Sequence, residues 1–162
     1  MCAALAATTG WRPELAVWLL LAPAGTLLAA VDLSVNRLPH ALTVPTAAAS
    51  WVLLGVAAAL PAHAGSWPRA AAGGLTLSGM LFVLCLISPA AMGFGDVLLA
   101  LTVGAVLGWY GWHVLFAGTF VAFALAAVFG LLRRIRAAPE RALVPLGPFL
   151  LVGALAGVLA AG

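Results

Sequence analysis

Six long apolar runs dominate this chain and leave little choice of fold. A helix needs about 20 apolar residues to cross ~30 Å of hydrocarbon, and the six runs reach or approach that length. Of the 162 residues, 65% are hydrophobic and only 7% are charged. A soluble domain of about 150 residues leaves about 30% of its chain surface in water. This much apolar sequence therefore predicts an all-α, polytopic membrane protein.

Polar residues, prolines and glycines set the predicted span boundaries. In chain order, the spans are Leu15–Val31, Ala41–Leu60, Ala70–Ile87, Val97–Trp109, Trp112–Leu132 and Leu146–Ala161. The fourth and sixth are short and would require tilting or local thinning of the bilayer. The N-terminal residues lack the basic start of a cleavable signal peptide, so we expect the first run to be retained. The sequence shows no repeat or linker, and residues 1–162 are interpreted as one membrane-embedded domain.

The arginines predict the orientation. If crossings alternate, loops 32–40, 88–96 and 133–145 share one side of the membrane. These loops hold five of the seven arginines: Arg37, Arg133, Arg134, Arg136 and Arg141. Positively charged loops favour the cytoplasm, which places both termini on the non-cytoplasmic side. Aromatic residues that favour a membrane interface fall on that opposite side: Trp11, Trp67, Trp109, Tyr110 and Trp112. Topology thus explains the arginines without a nucleic-acid partner, and membrane lipids are the expected surroundings.

Glycines within the spans predict close helix contacts. Gly73 and Gly74 are adjacent in the third span, and Gly104 and Gly108 are four residues apart in the fourth. Small residues at this spacing allow helix backbones to approach each other in membranes. The sequence carries no signal for an oligomeric state.

Asp32 and Asp96 are the only aspartates, and both lie at span ends on the predicted cytoplasmic side. Ionisable groups at membrane depth are costly and usually functional. The two can meet if the first and fourth helices pack together. Two carboxyl groups within hydrogen-bond reach share a proton, so one can activate a water while the other protonates a carbonyl oxygen. The pair predicts peptide-bond hydrolysis without a metal ion or cofactor.

Each aspartate taken alone also has a structural interpretation. Asp96 could be the N-cap of the fourth helix, and Asp32 could reach water at the interface and pair with Arg37. Their shared location favours a catalytic pair. Gly93 and Gly95, on either side of a phenylalanine, would let a substrate backbone approach Asp96 and would permit positive φ.

Three segments carry a family resemblance. They read DLSVNRLP at residues 32–39, MGFGD at residues 92–96 and LGPF at residues 146–149. The first two, separated by two spans, resemble the aspartate motifs of the type IV prepilin peptidase family, which are GxGD aspartic membrane proteases. The third is similar to a late G-P-F element of that family.

The resemblance implies an aspartic endopeptidase in the cytoplasmic (inner) membrane of a prokaryote. Such enzymes cut a basic leader from prepilins or pseudopilins at the cytoplasmic face, and the short members include those serving Flp/Tad-type pili. The implied catalytic pair is Asp32 and Asp96, with supporting motif residues Gly93, Gly95, Arg37 and Pro39. The domain with paired CxxC motifs that methylates pilins in larger members has no counterpart in this sequence, so no methylation is expected.

Two departures from the family pattern keep alternatives open. His40 stands where the family usually has asparagine, and Leu98 where it usually has lysine. The lost charge is compatible with a catalytically silent homologue that acts in pilus or secretion assembly. A small proton-coupled transporter would also hold carboxylates in membrane helices, but it would place them near the midplane rather than at one face.

Overall fold

The computed structural model describes residues 15–35, 40–61, 65–88, 93–136 and 145–161, and all regular structure in these ranges is helical. The helices are α1 (Leu15–Val35), α2 (His40–Ala59), α3 (Trp67–Ile87), α4 (Phe94–Tyr110), α5 (Trp112–Arg136) and α6 (Leu146–Ala161). Each of the six predicted spans coincides with one helix, which confirms the all-α prediction for the described residues.

Three of the described helices are long and apolar enough to cross a membrane, by length and composition: His40–Ala59, Trp67–Ile87 and Trp112–Ile135. The other three are shorter apolar helices, over Ala16–Asp32, Phe94–Tyr110 and Leu146–Ala160. The crossing of the membrane by all six helices, and their orientation in it, stay predictions.

Several helix ends differ from the predicted span ends because polar residues do not stop helical hydrogen bonding. Helix α1 continues past Val31, so Asp32 lies in its last turn rather than after it. Helix α4 begins three residues before Val97 and includes Asp96 in its first turn. It continues through Gly104 without a break.

Ring contacts define one end of the bundle. The Phe94 ring, at the start of α4, packs edge-on against His40 of α2 at a centroid distance of 5.9 Å and against Phe82 of α3 at 6.4 Å. Phe129, near the end of α5, packs against Phe149 at the start of α6 at 5.3 Å. This end, which we call the site end, therefore gathers the starts of α2, α4 and α6 and the later parts of α3 and α5.

Polar contacts of aromatic residues hold the opposite end. Trp18 Nε1, near the start of α1, donates a hydrogen bond to Tyr110 Oη at the end of α4, at 3.0 Å. The Ser66 N–H, just before α3, donates to the Trp109 carbonyl at 3.3 Å. Successive helices in the described bundle thus alternate in direction, as the parity of the predicted crossings requires.

Helix α4 is the centre of the bundle, and glycines bring α3 directly onto it. A Cβ atom added at Gly73 would lie 2.6 Å from the Gly104 carbonyl oxygen, and one added at Gly108 would lie 2.6 Å from the Arg69 carbonyl oxygen. Backbone therefore touches backbone, and the predicted close packing is confirmed. The same arrangement joins α5 to α6, where a Cβ added at Gly118 would lie 2.8 Å from the Gly153 oxygen.

Helix α1 packs less closely. It contacts α2 and α6, both of which pack on α4, and it does not run in close contact along α4 itself. This arrangement decides how the two aspartates are positioned.

Candidate active site

Asp32 is a buried hydrogen-bond acceptor in the last turn of α1. Its side chain is 3% exposed, and its Oδ2 accepts a hydrogen bond of 3.1 Å from the Gly147 backbone N–H at the start of α6. The first amides of a helix have no partner within the helix, so they bind carboxylates readily. The alternative in which Asp32 reaches water at the interface is therefore wrong. Its proposed partner there, Arg37, lies outside the described residues.

Asp96 is the third residue of α4, and the N-cap is Gly93. The Asp96 N–H donates to the Gly93 carbonyl at 3.0 Å, and the Gly93 amide in turn interacts with the Asp96 carboxylate. An acidic side chain at this third position commonly reaches back to the amide of the cap residue. The alternative in which Asp96 is itself the N-cap is wrong, because the N-cap is Gly93, three residues earlier.

One oxygen of Asp96, Oδ1, is among three buried side-chain polar atoms of the described residues that lack a hydrogen-bond partner, the others being Trp51 Nε1 and Thr119 Oγ1. A buried acceptor without a partner is costly, and in native structures it is often found where a polar group has a functional role. The Asp32 carboxylate lies within electrostatic reach of Asp96, and the two carboxyl groups together make up the candidate site.

The two aspartates do not meet in the way we expected. Direct packing of the first helix along the fourth was the predicted cause, but α1 instead packs against α2 and α6. Helix α6 supplies the Gly147 amide that binds Asp32. The site is therefore built from α1, α4 and the start of α6.

The glycines around Phe94 do not have the backbone role that was predicted. Gly93 has φ −83°, and Gly111 is the only described glycine with positive φ. A Cβ at Gly93 would meet its nearest atoms, Asp96 Oδ2 among them, at an ordinary distance of 3.9 Å. Gly95 is buried within α4. The fold itself therefore does not require a glycine at residue 93.

The remaining sequence-predicted residues divide into two groups. Arg37 and Pro39 lie outside the described residues. Leu98 is half-buried in α4, and His40 is the exposed first residue of α2, next to Phe94. In the described part of the chain, no three His, Cys, Asp or Glu side chains come together as metal ligands would.

Gly147 is the site residue to which sequence reasoning gave no role. Its segment, LGPF, was noted for its similarity to a family element, but a backbone amide leaves no chemical signature in a sequence. A proline directly after a glycine at a helix start was the available signal, because proline is common in the first turn of helices.

The comparison with known proteins now decides the family. The family model of the type IV leader peptidase family matches residues 15–132, well over half of the chain. The chain belongs to the type IV leader peptidase family. No curated protein and no solved structure matches the chain significantly. The family match includes both aspartates and ends before α6, so the Gly147 amide is contributed from outside the matched region.

Proposed function

We propose that this protein is an aspartic endopeptidase that removes the leader from type IV or Flp/Tad-type prepilins or pseudopilins. Asp32 and Asp96 are the proposed catalytic pair. The observation that carries the proposal is that the only two aspartates of the chain lie at the site end of the bundle, where Asp32 is buried and Asp96 is half-buried within electrostatic reach of it. Membership of a leader peptidase family supports peptide hydrolysis as the reaction.

The proposed chemistry needs one proton shared between two carboxyl groups. The ionised carboxylate removes a proton from water as the water oxygen attacks the scissile carbonyl carbon. The protonated carboxyl group donates its proton to the carbonyl oxygen, which gives a tetrahedral intermediate. Collapse of the intermediate re-forms the carbonyl and breaks the C–N bond, and the leaving nitrogen takes up a proton.

The two carboxyl groups differ in the positions they leave open. Asp32 Oδ2 is occupied by the Gly147 amide, which fixes the orientation of that carboxyl group. Asp96 Oδ1 has no bond from the described residues and is the oxygen that we assign to water or substrate. Gly93, Gly95, Arg37 and Pro39 are proposed to support this site.

The membrane arrangement is part of the proposal. Residues 1–162 form one domain with six crossings in the inner membrane of a prokaryote, and both termini lie outside the cytoplasm. The site end then faces the cytoplasm, since the arginine-rich loops lie on that side. A leader that precedes a membrane helix presents its cleavage point at this interface.

A catalytically silent homologue in pilus or secretion assembly is the second candidate. Leu98, which stands where the family usually carries a lysine, favours it because the charge is lost close to Asp96. The transporter alternative has less support, because both carboxylates lie at one end of the bundle.

The test is co-expression with candidate prepilins from the same genome, scored by gel mobility and N-terminal sequencing of the product. Wild type, Asp32→Asn and Asp96→Asn are compared, since asparagine keeps the shape of aspartate without its acid-base chemistry. We expect cleavage by wild type alone, with all three proteins equally stable in detergent. Cleavage that survives either substitution would overturn the assignment of the pair. Uncleaved prepilins across the panel, with assembly that depends on the protein but not on its aspartates, would establish the silent homologue.

A further inference from the structure

An apolar groove lies between α1, α4 and α6, with a cavity of about 180 Å³. Val103 and Val106 of α4 form its floor, and both are buried. Helix α1 forms one wall and α6 the other, where Val152 is 49% exposed at the rim. The groove exists because α1 stands away from α4 along this stretch.

The groove offers no free polar group among its described lining residues. Its hydroxyl, Thr26 Oγ1, already donates to the Pro23 carbonyl at 2.8 Å. Its indole N–H, on Trp18, already donates to Tyr110. The rest of the lining is aliphatic apart from glycine and proline. An occupant is therefore selected by apolar contact alone.

The groove leads to the aspartate pair. Trp18, Gly25 and Asp32 are spaced seven residues apart and so share one face of α1. The lining of α1 ends at Ala29, one turn before Asp32, and it extends about 16 Å along the helix from Trp18, at 1.5 Å per residue. On the α6 wall, Pro148 directly follows the glycine that binds Asp32. Both walls thus end beside Asp32, while the α4 floor ends at Val103, two turns from Asp96.

The α1 wall leaves room for an apolar side chain near its site end. Ala22 and Gly25 are buried, and a Cβ at Gly25 would lie 3.1 Å from the Leu151 side chain of α6, so this part of the wall already packs against the other. Ala29 is half-buried and has little side-chain bulk, and small residues let membrane helices approach closely. A whole helix, about 10 Å across with its side chains, does not fit inside the cavity. A helix lying along the rims would instead place a few apolar side chains in it.

We propose that this groove binds the apolar membrane helix of the protein substrate and thereby delivers the scissile bond to Asp32 and Asp96. The inference rests on the proposed function, because it is the cleavage reaction that requires a chain continuous with the site. A substrate held at the pair must continue into the membrane, and the groove is an apolar path whose α1 wall begins one turn from Asp32 and whose α6 wall begins next to Gly147. A lipid tail has no such connection to the site and is the competing occupant.

Two neighbouring alanines provide a matched test. Ala29→Leu fills the groove one turn below Asp32, whereas Ala30→Leu makes the same change at an exposed residue that does not line it. Each variant is assayed on a full prepilin in vesicles and on a soluble peptide that ends a few residues after the cleavage point. We expect Ala29→Leu to raise KM for the full prepilin about tenfold, the effect of excluding one apolar side chain. Cleavage of both substrates by Ala30→Leu should equal that of wild type, and Ala29→Leu should lose much less on the peptide than on the full prepilin.

The opposite results would overturn the proposal. An unchanged KM for the full prepilin would show that the helix does not use the groove, although cleavage by wild type would still support the peptidase. Equal loss on both substrates would show a disturbed site instead of lost docking.

Photocrosslinking tests the occupant directly and does not depend on cleavage. A photoreactive residue replaces Val152 at the groove rim or, as the control, Val128 of α5, which is 56% exposed and does not line the groove. In an Asp96→Asn background, we expect position 152 alone to crosslink to the apolar helix of the prepilin. Crosslinks to lipid only would overturn the docking proposal. If position 152 crosslinks to the helix but no form of the protein cleaves the prepilin, the docking proposal stands and the peptidase assignment is rejected.

Discussion

Helix α4 meets its neighbours in two different ways. On one side α3 lies backbone to backbone with it, through Gly73, Gly104 and Gly108. On the other side α1 stands away, and the two helices are bridged by α2 and α6. One aspartate is carried by the closely packed helix and the other by the loosely packed one.

Because of this difference, one set of contacts stabilises the fold and another aligns the two aspartates. Asp96 is positioned by α4, against which α3 packs closely. Asp32 receives its described hydrogen bond from the start of α6, which Phe149 ties to Phe129 of α5. The alignment of the pair therefore depends on α6 more than on contact between the two helices that carry it.

The largest expected effect is loss of the fold when the close interface is opened. Gly73→Ala adds a Cβ that would lie 2.6 Å from the Gly104 oxygen and 2.9 Å from the Gly108 Cα, so the backbones must separate. We expect a loss of stability of about 2 kcal/mol or more, as for other overpacked interiors. Thermal unfolding in detergent and yield of folded protein measure it.

Gly79→Ala is the control for that prediction. Gly79 lies on the same helix, and a Cβ there would meet nothing within 4 Å. Its replacement should leave the unfolding temperature unchanged or slightly raised, since alanine favours a helix more than glycine does. Equal destabilisation by the two alanines would mean that helix contact is not the reason for the glycine at residue 73.

A smaller effect, confined to activity, is expected when the α6 amide is removed. Gly147→Pro deletes the N–H that binds Asp32 Oδ2, at a helix start where no intrahelical bond is lost. Hydrogen bonds to charged groups contribute about 1.5–3 kcal/mol, so we expect kcat to fall about tenfold to a hundredfold with KM unchanged. Prepilin cleavage kinetics and thermal unfolding are measured on the same preparations.

Gly147→Ala keeps the N–H and serves as the matched variant. It should retain most of the activity. If alanine reduces cleavage as much as proline does, side-chain space rather than the amide is what the site requires at residue 147.

The sequence predicted the helices well because bilayer thickness imposes a length on apolar runs. All six coincide with predicted spans, and the differences lie at their ends, as at Val31 and Val97, because a polar residue ends an apolar run without ending the helix. The glycine contacts of α3 and α4 were predicted for a similar reason, since small residues at fixed spacing have few other uses in membrane helices.

The site was predicted only as far as side chains carry chemistry. Asp32 and Asp96 were identifiable because carboxylates are rare and costly at membrane depth. The Gly147 amide was not, because every residue except proline carries that group. The groove was not predicted either, because ordinary apolar residues line it. Its width depends on the distance between α1 and α4, which the packing of α2 and α6 sets.

The smallest expected effect, on cleavage, tests whether the absence of a side chain at residue 93 serves helix packing or leaves room for a substrate. Gly93→Ala adds a Cβ at ordinary distances, on a backbone with φ −83° that any residue adopts. The free energy of unfolding should therefore fall by about 1 kcal/mol at most, the cost of alanine at an N-cap, in contrast to Gly73→Ala. If the substrate backbone passes Asp96 at this point, cleavage should fall about tenfold, the effect of about 1.4 kcal/mol lost in binding. Full activity would show that the substrate does not approach over Gly93, whereas a loss of stability as large as that of Gly73→Ala would show that this glycine also serves packing.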